Sequence, residues 1–322
     1  MRFFYIKIPK KTFCIKIPQN CIFQKLVCSK AGKSVMAVNT ISDTWRVARG
    51  VVSYPLSMLH WGSMKFRYGV KEWHPMSVLG EEDPDFKMAL FLESQPFHEE
   101  NRNIILDLWK RAKLRACVDQ GLIEWDHFIK SLEEADRSDI LMPDIISGDF
   151  KSVDPDIISQ YQSRGAKAEK REDRHETDLH HAVKIIKNEL TARNQKINCG
   201  VAVVNANDRF DHTMAFVNEL FQGSDTLEVP LYLLSNKSLT WRLPTGRHRI
   251  FLNQSVHKKW SSIIPVGQPA YVTTTGLRWN MIMQRLEFGG VISTSNEIGD
   301  QKEVSIECDR PVLFSMGLPS SA

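Results

Sequence analysis

Hydrophobic and polar positions along the chain follow two regimes. From Glu72 to Ser235, short apolar runs alternate with stretches of helical period. "KMALFLES" (87–94) reads as a first buried strand. "RNIILDLWKRAKLRACVDQG" reads as a helix running into a strand, because Ile105, Leu108, Trp109 and Ala112 recur at helical spacing. "ILMPDIISGDF" supplies another strand. Asp154 followed by Pro155 is an N-cap and first-turn pair, and Gly165 is a stop, so the pattern predicts a helix near 155–164. Thr177 can cap a further helix with Leu179, Ala182, Val183, Ile186 and Leu190 on its buried face. "CGVAVVNA" (199–206) is almost wholly apolar, as a strand covered on both faces of a parallel sheet must be. "DHTMAFVNELFQ" is the next helix and "VPLYLLS" (229–235) the next strand. This alternation predicts an α/β layer fold.

Past Ser235 the period changes. "SLTWRLPTGRHRIFLN", "AYVTTTGLRWNM", "LEFGGVISTSN" and "EVSIECDRPVLFSMGL" are short strands broken by Gly, Pro and Asn. They predict a β-sandwich or barrel. The expected organisation is a basic, disordered extension over 1–71, an α/β domain over 72–235 and a β-sandwich over 236–322.

Composition adds exclusions. The chain has 322 residues, enough for two cores, and a formal net charge of only +4. It has no Lys/Arg run with interleaved aromatics, so nucleic acid is not an expected partner. No apolar run approaches the ~20 residues of a membrane-spanning helix. Six cysteines without a C-x-x-C pair read as free thiols of a reducing compartment, which predicts a cytoplasmic protein. Residues 1–42 contain no Asp or Glu and repeat "IKIP" at Ile6–Pro9 and Ile15–Pro18. An acid-free, basic start also permits mitochondrial targeting, although its prolines oppose an amphipathic helix.

Ligands of open parallel sheets bind beyond the carboxyl ends of the strands. Asp119 follows "LRAC", Asp149 follows "IISG", and Asp178 opens a helix. Carboxylates there can hold Mg²⁺ on a phosphate, and Arg209 could clamp the phosphates. Taken alone, each acid reads more often as a cap or turn residue, and Arg209 more often as a surface ion-pair partner, than as a site residue. No G-x-x-x-x-G-K-[ST] loop is present, which argues against a Walker-type kinase.

Together, "LWKRAKLRACVDQG", "PDIISGDF", "TDLHHAVK", "DRFDHTMAFVNEL", "IIPVGQPAYVTTTGLRWN" and "LEFGGVISTSN" resemble eukaryotic thiamine pyrophosphokinase over about Glu72–Leu318. The resemblance implies a Rossmann-like parallel-sheet domain followed by a C-terminal β-sandwich. It implies a homodimer that transfers pyrophosphate from ATP, with Mg²⁺, to the hydroxyl of thiamine, giving thiamine diphosphate and AMP. Carried over position by position, it implies Asp149, Asp178 and Arg209 as catalytic and Asp119, Asp149 and Asp178 as metal ligands. Asp119, Arg209 and Asp211 would meet nucleotide, and Trp279, Ser293 and Asn296 would meet thiamine; Lys151, at a position where the family has an acid, could take a metal's place and contact phosphate directly as a point charge. An indole suits a cationic aromatic ligand, and a hydroxyl and an amide suit its polar edge.

Departures from the family pattern cluster on the nucleotide side. Lys151 stands at an acid position of Gly-Asp-Phe-Asp-Ser, and Arg174 and His175 replace Gln and Asp of a third motif. Gln120 and Leu122 replace small residues after Asp119 and are expected to crowd the phosphate site, while Ile123 replaces an Asn. Asn205, Ala206 and Asp208 stand where glycines precede the arginine. "AKAEKRED" is more polar than the family's strand. These changes leave three expectations open: a thiamine diphosphokinase with a divergent site, a relative that binds thiamine or its diphosphate without turnover, or a purely structural dimer subunit.

Overall fold

The computed structural model describes residues 69–318 apart from 81–82, 84, 94–98, 134–139, 207–208, 236 and 257–258, with backbone alone at 99–101; before residue 69 it describes strands only. Met1–Gly69 and Val70–Ala322 are separate units. The first unit contains three antiparallel hairpins, pairing Arg2–Ile8 with Lys11–Ile17, Ile22–Val27 with Ser34–Asn39, and Thr44–Arg46 with Ser53–Pro55. Of the extension predicted over 1–71, Gly69 is described and residues 70–71 begin the second unit; the rest outside these hairpins lies outside the described residues.

The second unit begins with β1 (Val70–Trp73) and a short α1 (Pro75–Val78). A strand–helix alternation follows: β2 (Met88–Glu93), α2 (Glu99–Arg111), β3 (Leu114–Val118), α3 (Gly121–Ser131), β4 (Ile145–Gly148), α4 (Pro155–Ser163), β5 (Lys167–Lys170), α5 (Asp178–Ala192), β6 (Cys199–Val203), α6 (Phe210–Leu227) and β7 (Leu231–Leu234). The predicted caps form. Asp154 accepts from the Asp156 N–H at 2.9 Å, and Thr177 accepts from the His180 N–H at 3.1 Å. The pattern reading leaves out α3, although Leu122, Trp125 and Ile129 bury one face of it.

Strands β5-β4-β3-β2-β6-β7 lie side by side and parallel. Met88, Leu90 and Leu92 point into one apolar layer with Trp109 and Trp125, and Ala89 and Phe91 into the other with Ala182 and Leu220. Two-sided burial explains why these strands read as unbroken apolar runs.

The remaining strands are β8 (Ser238–Leu243), β9 (Gly246–Phe251), β10 (Trp260–Pro265), β11 (Ala270–Thr275), β12 (Gln284–Leu286), β13 (Ser293–Glu297), β14 (Glu303–Cys308) and β15 (Val312–Gly317). β8 pairs antiparallel with β7, so the parallel sheet continues through β8-β15-β10-β13 as one ten-stranded sheet. A second sheet, β12-β11-β14-β9-β1, completes the β-rich half. β1 lies parallel to β9, with Arg247 opposite Val70 and Ile250 opposite Trp73. The expected start of the α/β domain at 72 therefore falls inside a strand of the C-terminal sheet. A polar lock fixes this junction. The Trp73 Nε1–H donates to His248 Nδ1 at 3.1 Å, and His248 Nε2–H donates to the Pro244 carbonyl at 2.7 Å. Burial pushes the His248 imidazole down to about 4. Cys117, Cys199 and Cys308 are buried free thiols.

Candidate active site

The strand ends of β3, β4 and β5 gather the charged residues. Asp119 directly follows β3 with a left-handed backbone, φ +45°, and its N–H donates to the Ser147 carbonyl at 2.7 Å. The neighbouring strand crosses it so closely that a Cβ on Gly148 would lie 3.1 Å from the Asp119 Cα. At the other side of the turn a Cβ on Gly121 would lie 2.0 Å from the Leu92 carbonyl oxygen, so only glycine lets α3 start there. Gln120 is exposed and Leu122 is fully buried in the core. The expected crowding of the phosphate site by Leu122 is thus not what forms, because the first turn of α3 carries its side chain away from solvent and under the sheet.

Asp149 follows β4. Its carboxylate accepts from the Lys151 backbone N–H at 2.9 Å and from Lys151 Nζ at 2.6 Å. Asp178 is the first residue of α5, where the helix dipole favours an acid. Its oxygen accepts from Arg171 Nε at 2.6 Å. The pattern reading does not single out Arg171, which leaves the end of β5. Its own N–H is held by the Gly148 carbonyl at 2.8 Å, and one guanidinium nitrogen lies 3.8 Å from Asp149. Its side chain is only 12% exposed, against 76% for Lys151, so the guanidinium is seated among the acids rather than in water.

The electrostatics follow from this packing. Burial, and then the charges of Asp178 and Asp149, raise the Asp119 carboxyl above the usual carboxylate range; Arg171 opposes the rise. The hydrogen bond from Lys151 lowers Asp149. The Asp178 hydrogen bond raises Arg171 further. Asp119 Oδ1 is buried without a hydrogen-bond partner. His175 is exposed, and its backbone N–H donates to Asp173 Oδ1 at 2.8 Å. Arg209 stands at the N-cap of α6 and pairs with Asp211, both more than half exposed. Asp208 lies outside the described residues.

The predicted ligand residues of the β-rich half form a second group. Trp279 is 55% exposed on the loop after β11, with the Arg278 guanidinium 4.8 Å from its ring centre. Asn296 is buried and spends its amide on the backbone: Oδ1 accepts from the Trp279 N–H at 3.2 Å and the Glu297 N–H at 2.8 Å, and Nδ2 donates to the Trp279 carbonyl at 2.9 Å. Ser293 opens β13, the strand that carries Asn296. Asn296 therefore sets the loop from which the indole projects.

Residues 105–232 match the thiamin pyrophosphokinase catalytic domain, and residues 247–313 match the thiamin pyrophosphokinase vitamin B1 binding domain. The chain belongs to the thiamin pyrophosphokinase family. It is 35% identical to thiamine pyrophosphokinase 2 of Oryza sativa subsp. japonica over 66% of this chain and 80% of that one. It is 30% identical to thiamin pyrophosphokinase 1 of Caenorhabditis elegans over 77% of this chain and 95% of that one. The solved structure of yeast thiamin pyrophosphokinase superposes with a TM-score of 0.67 at 16% identity, over 77% of this chain and 92% of that one. The Candida albicans thiamin pyrophosphokinase superposes with a TM-score of 0.64 at 20% identity, over 77% and 93%. At those identities the structures speak for the shared fold.

The acid cluster of this thiamin pyrophosphokinase family member is already filled by cations of the chain itself. The sequence predicts Asp119, Asp149 and Asp178 as ligands of Mg²⁺, a cation that takes oxygen donors in strict geometry. As folded, both oxygens of Asp149 are engaged by Lys151 and Oδ1 of Asp178 by Arg171, and of the three acids only Asp119 has an oxygen, Oδ1, that is buried and unengaged. Among the described residues no three acids, histidines or cysteines stand together as a metal-holding group. Like charges 4 Å apart repel by roughly 4 kcal/mol per unit pair at an effective dielectric near 20, and a divalent ion doubles that. The donor set therefore does not fit a resident Mg²⁺ beside Arg171.

Proposed function

We propose that this chain is a thiamine diphosphokinase, moving the pyrophosphoryl group of ATP to thiamine. The observation that carries this is the match of both halves to one family, each half holding its group of predicted residues. In the transfer, the thiamine hydroxyl oxygen bonds to the β-phosphorus of ATP. The bond from that phosphorus to the oxygen shared with the α-phosphorus breaks, AMP leaves with that oxygen, and the hydroxyl proton passes to solvent or to a nearby carboxylate. Asp119, whose carboxyl is raised by burial, is a carboxylate suited to accept it.

The protein's part is positioning and charge. Asp149 and Asp178 hold Lys151 and Arg171 at the strand ends, where the triphosphate would lie. Arg209, tethered by Asp211, closes on the phosphates from the start of α6. Magnesium enters this reading with ATP, as the counter-ion of the triphosphate. Trp279 stacks on the cationic rings of thiamine, Ser293 offers a hydroxyl to its polar edge, and Asn296 keeps the Trp279 loop in place.

The exposed apolar side chains Trp279, Ile282, Phe288 and Val291 fit a homodimer in which one subunit's sandwich faces the other's α/β half. Buried free thiols fit a cytoplasmic setting.

The test is the full chain with ATP, Mg²⁺ and thiamine, scored for thiamine diphosphate and AMP against an Asp178→Ala control. Both products above the control support the reading. No product, with thiamine still raising Tm, would replace it by a binding protein that keeps the pocket without the chemistry.

A further inference from the structure

The clustered acids and their cations do not compensate one another by accident of surface charge. Arg171 is tied down at three points: its N–H to the Gly148 carbonyl at 2.8 Å, Nε to Asp178 at 2.6 Å, and Nη1 to the Asp173 carbonyl at 2.5 Å. These bonds aim the guanidinium between acids from the ends of two different elements, β4 and α5, with Asp149 at 3.8 Å. Lys151 reaches Asp149 from the solvent side at 2.6 Å. A guanidinium keeps its charge at every working pH and presents donors in a rigid fork. The three carboxylates Asp119, Asp149 and Asp178 thus meet two positive charges, of which that of Arg171 is held in place. One carboxylate oxygen, Asp119 Oδ1, is left buried without a partner.

We propose that Arg171, with Lys151, is a built-in cation that stands in the acid cluster in place of a resident divalent metal. The free protein then has no tight divalent site there, and its two side chains supply positive charge that meets the triphosphate directly. Arg171 acts as a positioning residue for Asp178 and Asp149 until nucleotide arrives, and as a phosphate contact afterwards. The second half of this statement rests on the reading of these strand ends as the nucleotide site. The first half does not.

The first half is tested without nucleotide. Mn²⁺ is titrated into the full chain, and the loss of the free-ion electron paramagnetic resonance signal is followed. The wild type is expected to show no binding below about 1 mM Mn²⁺, and Arg171→Gln with Lys151→Asp to bind at least tenfold more tightly, since two repelling charges are gone and one acid is added. Lys151→Asp alone changes an exposed residue and is expected to bind at an intermediate level. It keeps the test decisive if the double variant does not fold. Micromolar binding by the wild type would overturn the proposal. So would variants that bind no better than the wild type.

Turnover is scored separately. If Mn²⁺ behaves as expected but no thiamine diphosphate forms, the functional reading fails and the built-in cation stands. If product forms and wild-type Mn²⁺ binding is tight, the reverse holds.

Discussion

At the strand ends of the parallel sheet, charge has been answered inside the protein: Lys151 on Asp149, Arg171 on Asp178. At the loops of the sandwich, the indole of Trp279 stands more than half in solvent, on a backbone that Asn296 fixes from below. The first region must give up ion pairs when an anionic substrate arrives. The second needs no rearrangement to present an aromatic face. Under the proposed function, the contrast separates the control of affinity from the control of rate. A preset face costs little ordering when a ligand binds and so governs affinity. Charged groups that must exchange partners govern the step in which charge moves.

The sharpest way to break this contrast is Asp178→Ala. It removes the acid that holds Arg171, and turnover is expected to fall on the order of 10²–10³-fold with little change in KM for thiamine, by direct assay of thiamine diphosphate. An equal fall in thiamine affinity would show that the two regions are not separable.

Acid pH probes the β-rich half through His248, read as the difference between the wild type and His248→Gln. His248 has a folded pKa of about 4 against its usual 6.5. Above pH 6.5 the imidazole is neutral in both folded and unfolded chains, and its locked hydrogen bonds are fully available. As pH falls from 6.5 towards 4 the unfolded chain takes up the proton first, so stability drains away through that window. The full loss is on the order of 3 kcal/mol. Urea midpoints at stepped pH should show this limb, and His248→Gln should flatten it.

Trp279→Ala is expected to raise KM for thiamine about tenfold with kcat nearly unchanged, in line with a partly exposed cation–π contact, and Trp279→Phe should recover much of it. Asn296→Ala should act in the same direction but only severalfold. A larger effect on kcat than on KM from either change would remove the division between preset affinity and mobile charge.

Much of this was legible along the chain. The strand–helix alternation, the caps at Asp154 and Thr177, and the shift to short strands past Ser235 depend on neighbours three or four positions away, and local physics decides them. Three features escaped because they depend on topology. "AKAEKRED" is so polar that nothing in it marks Arg171 out from its charged neighbours; only the pairing of β5 beside β4 turns Arg171 towards the acids. Leu122 follows Asp119 so closely that it reads as part of the site, yet the turn at Gly121 sends it into the core. Val70–Trp73 shows no partner in its own vicinity, because its partner is β9. Asn296 was legible as a site residue, but its service to the Trp279 backbone is a fact of two loops meeting. The positions of Asp119, Asp149, Asp178 and Lys151 could be read from the sequence, whereas Arg171, the cation seated between Asp149 and Asp178, could not.

The pairing of β1 with β9 also has a temporal side. Trp73 and His248 are 175 positions apart. At synthesis rates of about 5–20 residues per second, Trp73 emerges roughly 10–35 s before its acceptor does. Through that interval the whole α/β half can be made and can fold while an aromatic strand on its leading edge waits unpaired. Long-range closure of this kind is slow and leaves an open strand edge to be managed. Nascent chains halted before Gly246 should therefore be the ones most dependent on chaperones, and those halted after Cys308 the first able to close the five-stranded sheet around β9.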